Sequence, residues 1–234
     1  MVVKVEDDPK FRDRIGVFKD RLHAGNLLAE RLSKYARKAE STIVVAIPSG
    51  GVPVGFAIAR QLVLTLDVIL VRKTPIPWEP EAGFGSVTFD GSVFLNEPLV
   101  RNLSLTKSQI DKCIKAAEEG LQQRTRKFAA IRKGGLLSEV SGKTVLLVDD
   151  GLASGYSMLA SVESIKKREP EKVIVAVPTS SLTAIDLLSS RVDRLIVLNL
   201  RTSPYFAVAD AYIEWHDIPE EEALKLYSDI RANK

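Results

Sequence analysis

Short runs of almost uninterrupted apolar residues constrain the fold of this chain more than any other feature. They are rich in valine and isoleucine and show no alternation of polar and apolar residues, which is typical of strands buried on both faces of a parallel sheet. The runs occupy residues 42–47, 67–71, 144–148, 172–177 and 194–199. Helical patterns lie between most of them, at residues 54–62, 106–132, 157–167 and 183–190. This alternation predicts a doubly wound α/β fold with a parallel sheet.

Two regions depart from the alternation. Residues 11–39 show helical periodicity ahead of the first apolar run, and we expect a helix there. Residues 74–85 hold three prolines and no packing period, which predicts a long exposed loop. Asp90-Gly91 follows between two short apolar segments and predicts a tight hairpin. We therefore expect a core of residues 1–199, with a flexible loop and hairpin at about 74–96, and a separate C-terminal segment of residues 200–234.

Composition excludes several classes of function. The 33 basic and 30 acidic residues are interspersed, which argues against binding to nucleic acid. The single cysteine, Cys113, excludes an internal disulfide, and His23 and His216 lack metal-ligand spacing. No apolar run is long enough to span a membrane, and the charged N-terminus lacks a signal region. These features favour a reducing cytoplasm.

The strongest chemical signal is a pair of acids, Asp149 and Asp150, directly after the apolar run 144–148. A loop of small residues follows them and leads into a helical pattern. A strand, a small-residue loop and a helix N-terminus together form an anion site, because free N–H groups and the helix dipole point at the ligand. The acids themselves would repel a phosphate and suit sugar hydroxyl groups or the ligand shell of magnesium. The pattern therefore indicates a ligand that carries both a phosphate and a sugar.

Two other strand ends carry residues suited to an anion. Ile47-Pro48-Ser49-Gly50-Gly51 ends the first run, and its two glycines expose N–H groups at the start of a helix. Arg72 and Lys73 end the second run, where two cations suit a pyrophosphate leaving group.

The sequence LLVDDGLASGYS, residues 146–157, resembles the signature of the type I phosphoribosyltransferases at every position, with serines at positions where threonine is commonest. It is closer still to a subgroup of uncharacterised predicted phosphoribosyltransferases. That subgroup shares the patterns seen here as IPSGGVPVG, VRKTPIPWEPEAGFGSV, VDDGLASG and SPYFAVADAY.

The resemblance implies a role for each motif. Asp149 and Asp150 would hold the ribose hydroxyls of phosphoribosyl pyrophosphate, and would bind Mg²⁺ only indirectly, through substrate or water. The 5′-phosphate would lie against Ala153, Ser154, Gly155, Tyr156 and Ser157. Pyrophosphate would lie against Pro48, Ser49, Gly50 and Gly51, with a cis peptide expected between Pro48 and Ser49. Arg72 and Lys73 would assist the catalytic acids.

The remaining segments receive weaker predictions from the same resemblance. The loop at 74–85 would close over the reacting centre, although its Trp78, Glu79 and Glu81 receive no role. The C-terminal segment would form a small hood, with Phe206 and Tyr205 stacking on the base. From the residues alone, the two rings could equally be apolar anchors of a small domain.

The resemblance predicts a Mg²⁺-dependent phosphoribosyltransferase that acts on a nitrogenous base, expected to be a purine, and that forms a homodimer. Two alternatives stay open. One is a sensor of a nucleotide or of phosphoribosyl pyrophosphate on the same fold. The other is a phosphohydrolase that uses the acids for a metal, which would require an acid at a second strand end.

Overall fold

A six-stranded parallel sheet forms the centre of the molecule in the computed structural model, which describes residues 4–132, 137–203 and 205–232. Its strands are β1 (Lys4–Asp7), β2 (Thr42–Ala46), β3 (Thr65–Val68), β7 (Thr144–Val148), β8 (Lys172–Ser181) and β9 (Arg194–Arg201). They lie in the order β1-β9-β8-β7-β2-β3, and every neighbouring pair is parallel. The predicted parallel sheet is confirmed.

Helices cover both faces of this sheet. The described helices are α1 (Arg21–Leu32), α2 (Gly51–Leu62), α3 (Glu97–Asn102), α4 (Lys107–Arg132), α5 (Tyr156–Lys166), α6 (Leu182–Leu188) and α7 (Glu220–Ala232), of which α3 packs in a separate small core. Neighbouring residues of one strand enter different cores: Val44 packs in the core that holds residues of α1, α2, α4 and α7, and Val45 packs in the core that holds residues of α5 and α6. The apolar runs lack alternation because both of their faces are buried, so the doubly wound architecture is confirmed.

The prediction of a long exposed loop at residues 74–85 is wrong. The chain there forms a second, antiparallel sheet of β4 (Val71–Ile76), β5 (Glu79–Thr88) and β6 (Val93–Leu95), in that order. Thr74 and Phe84 are fully buried. The prolines misled the prediction. Pro75 lies in the edge strand β4 at a shift of register, which tolerates a missing N–H, Pro77 lies in the turn, and Pro80 is the second residue of β5. Only a short turn remains, where Trp78 is 57% exposed.

The hairpin predicted at Asp90-Gly91 is confirmed. Gly91 has a φ of +80°, a conformation that favours glycine, and it lies in the turn between β5 and β6. The Asp90 carboxylate accepts hydrogen bonds from Thr88 of its own hairpin and from Ser164 of α5. These contacts fix the small sheet against the helix that follows the acid pair.

The predicted helix over residues 11–39 is only partly correct. The α-helix spans Arg21–Leu32, and a 3-10 segment, Ser33–Ser41, follows it. Asp13 and Gly16 both have positive φ values, which interrupt the helical pattern before residue 20. The predicted strand at 67–71 divides into the end of β3 and the start of β4, and the short, charged strand β1 was not predicted.

Residues after β9 pack on the same core as the preceding helices. Ala223 and Tyr227 of α7 are fully buried, and the Tyr227 hydroxyl donates a hydrogen bond to buried Asp67 of β3 at 2.7 Å. Within the described ranges, no helix combines the length and apolar character that a membrane span requires.

Candidate active site

Two loops meet at the carboxyl edge of the central sheet. Strands β2 and β7 are neighbours, with Ala46 opposite Val148, so the segments that follow them emerge side by side. The Ile47 amide still donates to the Val148 carbonyl at 2.9 Å. We call residues 47–51 the β2 loop and residues 149–155 the β7 loop. The parallel topology thus brings together the acid pair and the Ile-Pro-Ser-Gly-Gly motif.

Glycine allows the β2 loop to approach the acids closely. A Cβ atom on Gly50 would lie 2.0 Å from the Asp150 Oδ2 atom, and one on Gly51 would lie 2.9 Å from the Val148 carbonyl oxygen. The Pro48–Ser49 peptide bond is cis, as predicted. Gly51 begins α2, so amide groups of this loop lie at the N-terminus of a helix, where they favour an anion.

The β7 loop ends at a second helix N-terminus. Gly155 has a φ of +79°, and α5 begins at the next residue, Tyr156. Ala153 and Ser154 are exposed, and the Ser157 hydroxyl lies 3.4 Å from the Ser86 hydroxyl of β5. The residues predicted to contact the 5′-phosphate therefore form one continuous turn at a helix start, next to the antiparallel sheet.

The two acids differ in their surroundings. Asp149 accepts a hydrogen bond from the Asp150 amide at 2.8 Å, and Asp150 Oδ2 accepts one from the Arg21 Nε atom at 2.8 Å. Burial above all, and the adjacent Asp150 carboxylate, raise the pKa of Asp149 well above its usual value. Burial also raises the pKa of Asp150, but the Arg21 guanidinium opposes that shift. Asp150 is thus the acid that has a buried cationic partner.

The sequence did not identify Arg21 as a site residue. It is the first residue of α1 and precedes Asp150 by 129 positions, so no local motif connects the two. Its Nη1 atom also donates to the His216 carbonyl at 2.9 Å, and its guanidinium carbon lies 3.8 Å from the Trp215 ring centroid. The Tyr212 hydroxyl donates to the Asp150 carbonyl at 2.6 Å. Residues of the C-terminal segment therefore lie directly behind the acid pair.

A second unpredicted arginine contacts the β2 loop. Arg124 of α4 donates a hydrogen bond to the Ser49 hydroxyl and lies 3.3 Å from Glu220 Oε2 of α7. Burial lowers the pKa of Arg124 and is the largest effect on it. The charge of Glu220 raises this pKa, and the charge of Arg72 lowers it further. Neither a helical periodicity nor a glycine pattern would have revealed this role, because α4 lies far from the loop in sequence.

The predicted cations Arg72 and Lys73 lie in β4, where both side chains are exposed. The Arg72 guanidinium packs against α4, since a Cβ atom on Gly120 would lie 2.1 Å from its Nη1 atom. Arg72 of β4 thus lies near Arg124 of α4, whose pKa its charge lowers.

Neither of the two residues predicted to contact a base, Tyr205 and Phe206, is buried. Tyr205 is 87% exposed, and the half-buried Phe206 ring lies 5.8 Å from the Arg201 guanidinium carbon. Val208, in the same segment, does approach the β7 loop, because a Cβ atom on Gly151 would lie 2.5 Å from it. Pro204 and the side chain of Glu81 lie outside the described part of the structure.

Comparisons with known proteins agree with the motifs. The model of the phosphoribosyl transferase domain family matches residues 90–199. A Mycobacterium tuberculosis protein that is named a putative phosphoribosyl transferase is 32% identical over 208 residues, which are 89% of this chain and 46% of that protein. The chain thus spans about half the length of the curated relative it matches. A ribose-phosphate pyrophosphokinase from Pyrococcus furiosus is 40% identical over 68 residues, 28% of this chain and 24% of that protein.

A solved structure resembles most of the fold. The crystal structure of the protein TT1426 from Thermus thermophilus is 32% identical in sequence and has a TM-score of 0.72, covering 91% of this chain and 98% of that one. The similarity therefore extends well beyond the region that matches the family model.

Proposed function

Because the chain belongs to the phosphoribosyl transferase family, we propose that it transfers the 5-phosphoribosyl group from phosphoribosyl pyrophosphate to a nitrogenous base and releases pyrophosphate. The observation that carries this proposal is the meeting of the β2 and β7 loops. Two helix N-termini and two acids lie at one sheet edge, with Gly50 against the Asp150 carboxylate. A ligand with phosphates at both ends of a sugar would match this arrangement.

Each end of the donor would have its own part of the site. The 5′-phosphate would lie on the turn from Ala153 to Ser157, and the sugar hydroxyls on the Asp149 and Asp150 carboxylates. Pyrophosphate would lie on the β2 loop, within reach of Arg72 and Lys73. Breaking the glycosidic bond leaves positive charge on the sugar and negative charge on the leaving group. The acids would therefore stabilise the first and the cations the second, so catalysis depends on positioning and charge.

Magnesium fits the donor groups that this chain supplies. The described residues contain no cluster of three or more potential metal ligands, and Asp149 and Asp150 are only two carboxylates. Mg²⁺ typically keeps several waters and binds through one or two carboxylates plus the phosphates of its substrate. Bound in that way, it would neutralise charge on the pyrophosphate, and the two acids would contact it through water or substrate.

The acceptor is the least constrained part of the proposal. Phe206 and Tyr205 offer ring faces at the edge of the C-terminal segment, and a purine would present the larger surface for stacking on them. We propose a purine base as the acceptor, residues 200–234 as the hood that binds it, a homodimer as the assembly and the cytoplasm as the location. Each of these extends the family assignment.

Release of pyrophosphate from phosphoribosyl pyrophosphate and Mg²⁺, measured across a panel of purine and pyrimidine bases, tests the proposal. We expect release with at least one base, accompanied by its nucleotide. Tight donor binding without release for any base would favour the alternative of a sensor protein. Absence of donor binding would contradict the roles given to the β7 loop.

A further inference from the structure

Arg21 lies between Asp150 and the C-terminal segment and contacts both. Only 6% of its side-chain surface and 16% of that of Asp150 are exposed, so their contact at 2.8 Å is largely shielded from solvent. An ion pair in such surroundings is strong only when the remaining polar groups are also satisfied. Here the His216 carbonyl accepts from the Arg21 Nη1 atom at 2.9 Å, which meets that condition in part.

Aromatic rings fix the guanidinium in place. The Trp215 ring centroid is 3.8 Å from the guanidinium carbon and the Tyr212 ring centroid is 5.7 Å from it. Arginine stacks on aromatic faces as a planar group, whereas a lysine ammonium at the same place would be a compact point charge. Tyr212 also donates to the Asp150 carbonyl at 2.6 Å, so the same cluster holds the backbone and the carboxylate of Asp150.

The contact has a geometric consequence for Asp150. A carboxylate has two oxygens, and both can accept hydrogen bonds. Arg21 contacts one of them, Oδ2, and Tyr212 donates to the Asp150 carbonyl, so the side chain and the backbone of Asp150 are both held. A carboxylate fixed in this way presents its remaining acceptor positions to sugar hydroxyl groups in one orientation.

We infer that Arg21 is a positioning residue, which holds the Asp150 carboxylate oriented for the sugar hydroxyls of the donor, and that Trp215 holds Arg21 in this position. The inference rests on the proposed function, since it assigns the sugar end of the donor to Asp150. It separates Arg21 from residues that contact the substrate, because Arg21 acts only through the acid.

The test is titration calorimetry of two ligands, each with Mg²⁺: phosphoribosyl pyrophosphate, which contains the sugar, and inorganic pyrophosphate, which lacks it. For Arg21→Met we expect the Kd of the donor to rise at least tenfold and the Kd of pyrophosphate to change less than twofold. Arg21→Lys keeps the charge but loses the planar stack, and its donor Kd should fall between those of the wild type and Arg21→Met. Trp215→Leu should shift the donor Kd in the same direction by a smaller factor.

The matched control is Arg31→Met, which removes another arginine of α1 together with its ion pair to Asp8, in a position where the Arg31 side chain is 55% exposed. It should leave both dissociation constants unchanged. An unchanged donor Kd in Arg21→Met would overturn the inference. An equal loss of affinity for donor and pyrophosphate, with no recovery in Arg21→Lys, would also overturn it, because a purely structural role would act on both ligands. Failure of the wild type to bind the donor would instead overturn the proposed function, and the inference with it.

Discussion

The two loops of the candidate site have the same construction but different supports. Each follows a central parallel strand, contains glycine at its closest approach and leads into a helix, and each is contacted by an arginine from a remote helix. Arg21 pairs with a buried carboxylate of the β7 loop and is enclosed by rings. Arg124 contacts only the neutral Ser49 hydroxyl of the β2 loop and is 21% exposed at its side chain.

The difference indicates different tasks. The charge of Arg21 is neutralised by Asp150, so this arginine contributes little net charge to an incoming anion. Arg124 shares Glu220 with Lys127, and the charge of Arg72 lies close enough to lower the pKa of Arg124, while that of Asp149 raises it. Cations from β4 and α4 therefore lie beside the β2 loop. The acid end of the β7 loop is thus arranged for a neutral, hydroxylated group, whereas the β2 loop is arranged for an anion. The following changes test that distinction, in order of decreasing expected effect.

The largest effect should come from Asp150→Asn, which leaves the buried Arg21 without its counterion. Removing one partner of a buried pair typically costs 3–5 kcal/mol, and the amide can still accept one hydrogen bond, so we expect a loss of about 3 kcal/mol in the free energy of unfolding. Urea denaturation measures it. Glu97→Gln is the control, because it removes a carboxylate from a pair in which the side chains of Arg101 and Glu97 are 69% and 63% exposed, and it should cost less than about 1 kcal/mol. Equal losses in the free energy of unfolding would show that the burial of the Arg21–Asp150 pair does not strengthen it.

Substitution of the adjacent residues Gly50 and Gly51 should affect stability and donor binding differently. Gly51→Ala places a methyl group against the backbone of Val148 and Asp149, which has little freedom to move, and should cost about 2 kcal/mol in stability. Gly50→Ala places it against the Asp150 carboxylate, a side chain that can shift, so it should cost less stability but weaken donor binding about tenfold. Thermal unfolding and donor titration of both variants separate the effects. Similar profiles for the two would contradict the close contact between Gly50 and Asp150.

Much of this architecture could be predicted from local sequence. The apolar runs predicted the central strands because burial on both faces leaves a continuous pattern. The β7 loop followed from a motif of adjacent residues, and the cis peptide from the resemblance of the β2 loop to that of a known family. The antiparallel sheet was missed because of its prolines, of which Pro75 lies in the edge strand β4, Pro77 in the turn and Pro80 at the start of β5, all places where the loss of an N–H is tolerated. Arg21 and Arg124 were missed for another reason. Each reaches its loop through tertiary packing from a helix distant in sequence, and an arginine at the start or middle of a helix carries no signal of that contact.

A smaller effect should follow from Arg124→Met, which removes the guanidinium from the β2 loop. The loss of one charge-assisted contact corresponds to about a tenfold rise in the inhibition constant of pyrophosphate. Lys127→Met is the matched control, because Lys127 pairs with the same Glu220 one turn further along α4, where its side chain is 53% exposed. It should change the constant less than twofold. Equal weakening by both variants would show that overall charge, rather than the contact with Ser49, determines affinity.

The smallest effect should come from Ser86→Ala, at the contact between the antiparallel sheet and the β7 loop. The two hydroxyls of Ser86 and Ser157 are 3.4 Å apart, which is long for a hydrogen bond, so its loss should raise the Michaelis constant for the donor about twofold. Ser157→Ala should raise it about tenfold, because it also removes the proposed contact with the 5′-phosphate. In the double variant, Ser86→Ala should add nothing further, since its partner is already absent. A full twofold effect of Ser86→Ala in the Ser157→Ala background would instead mean that the sheet acts on the donor directly, and that the β7 loop does not need its support.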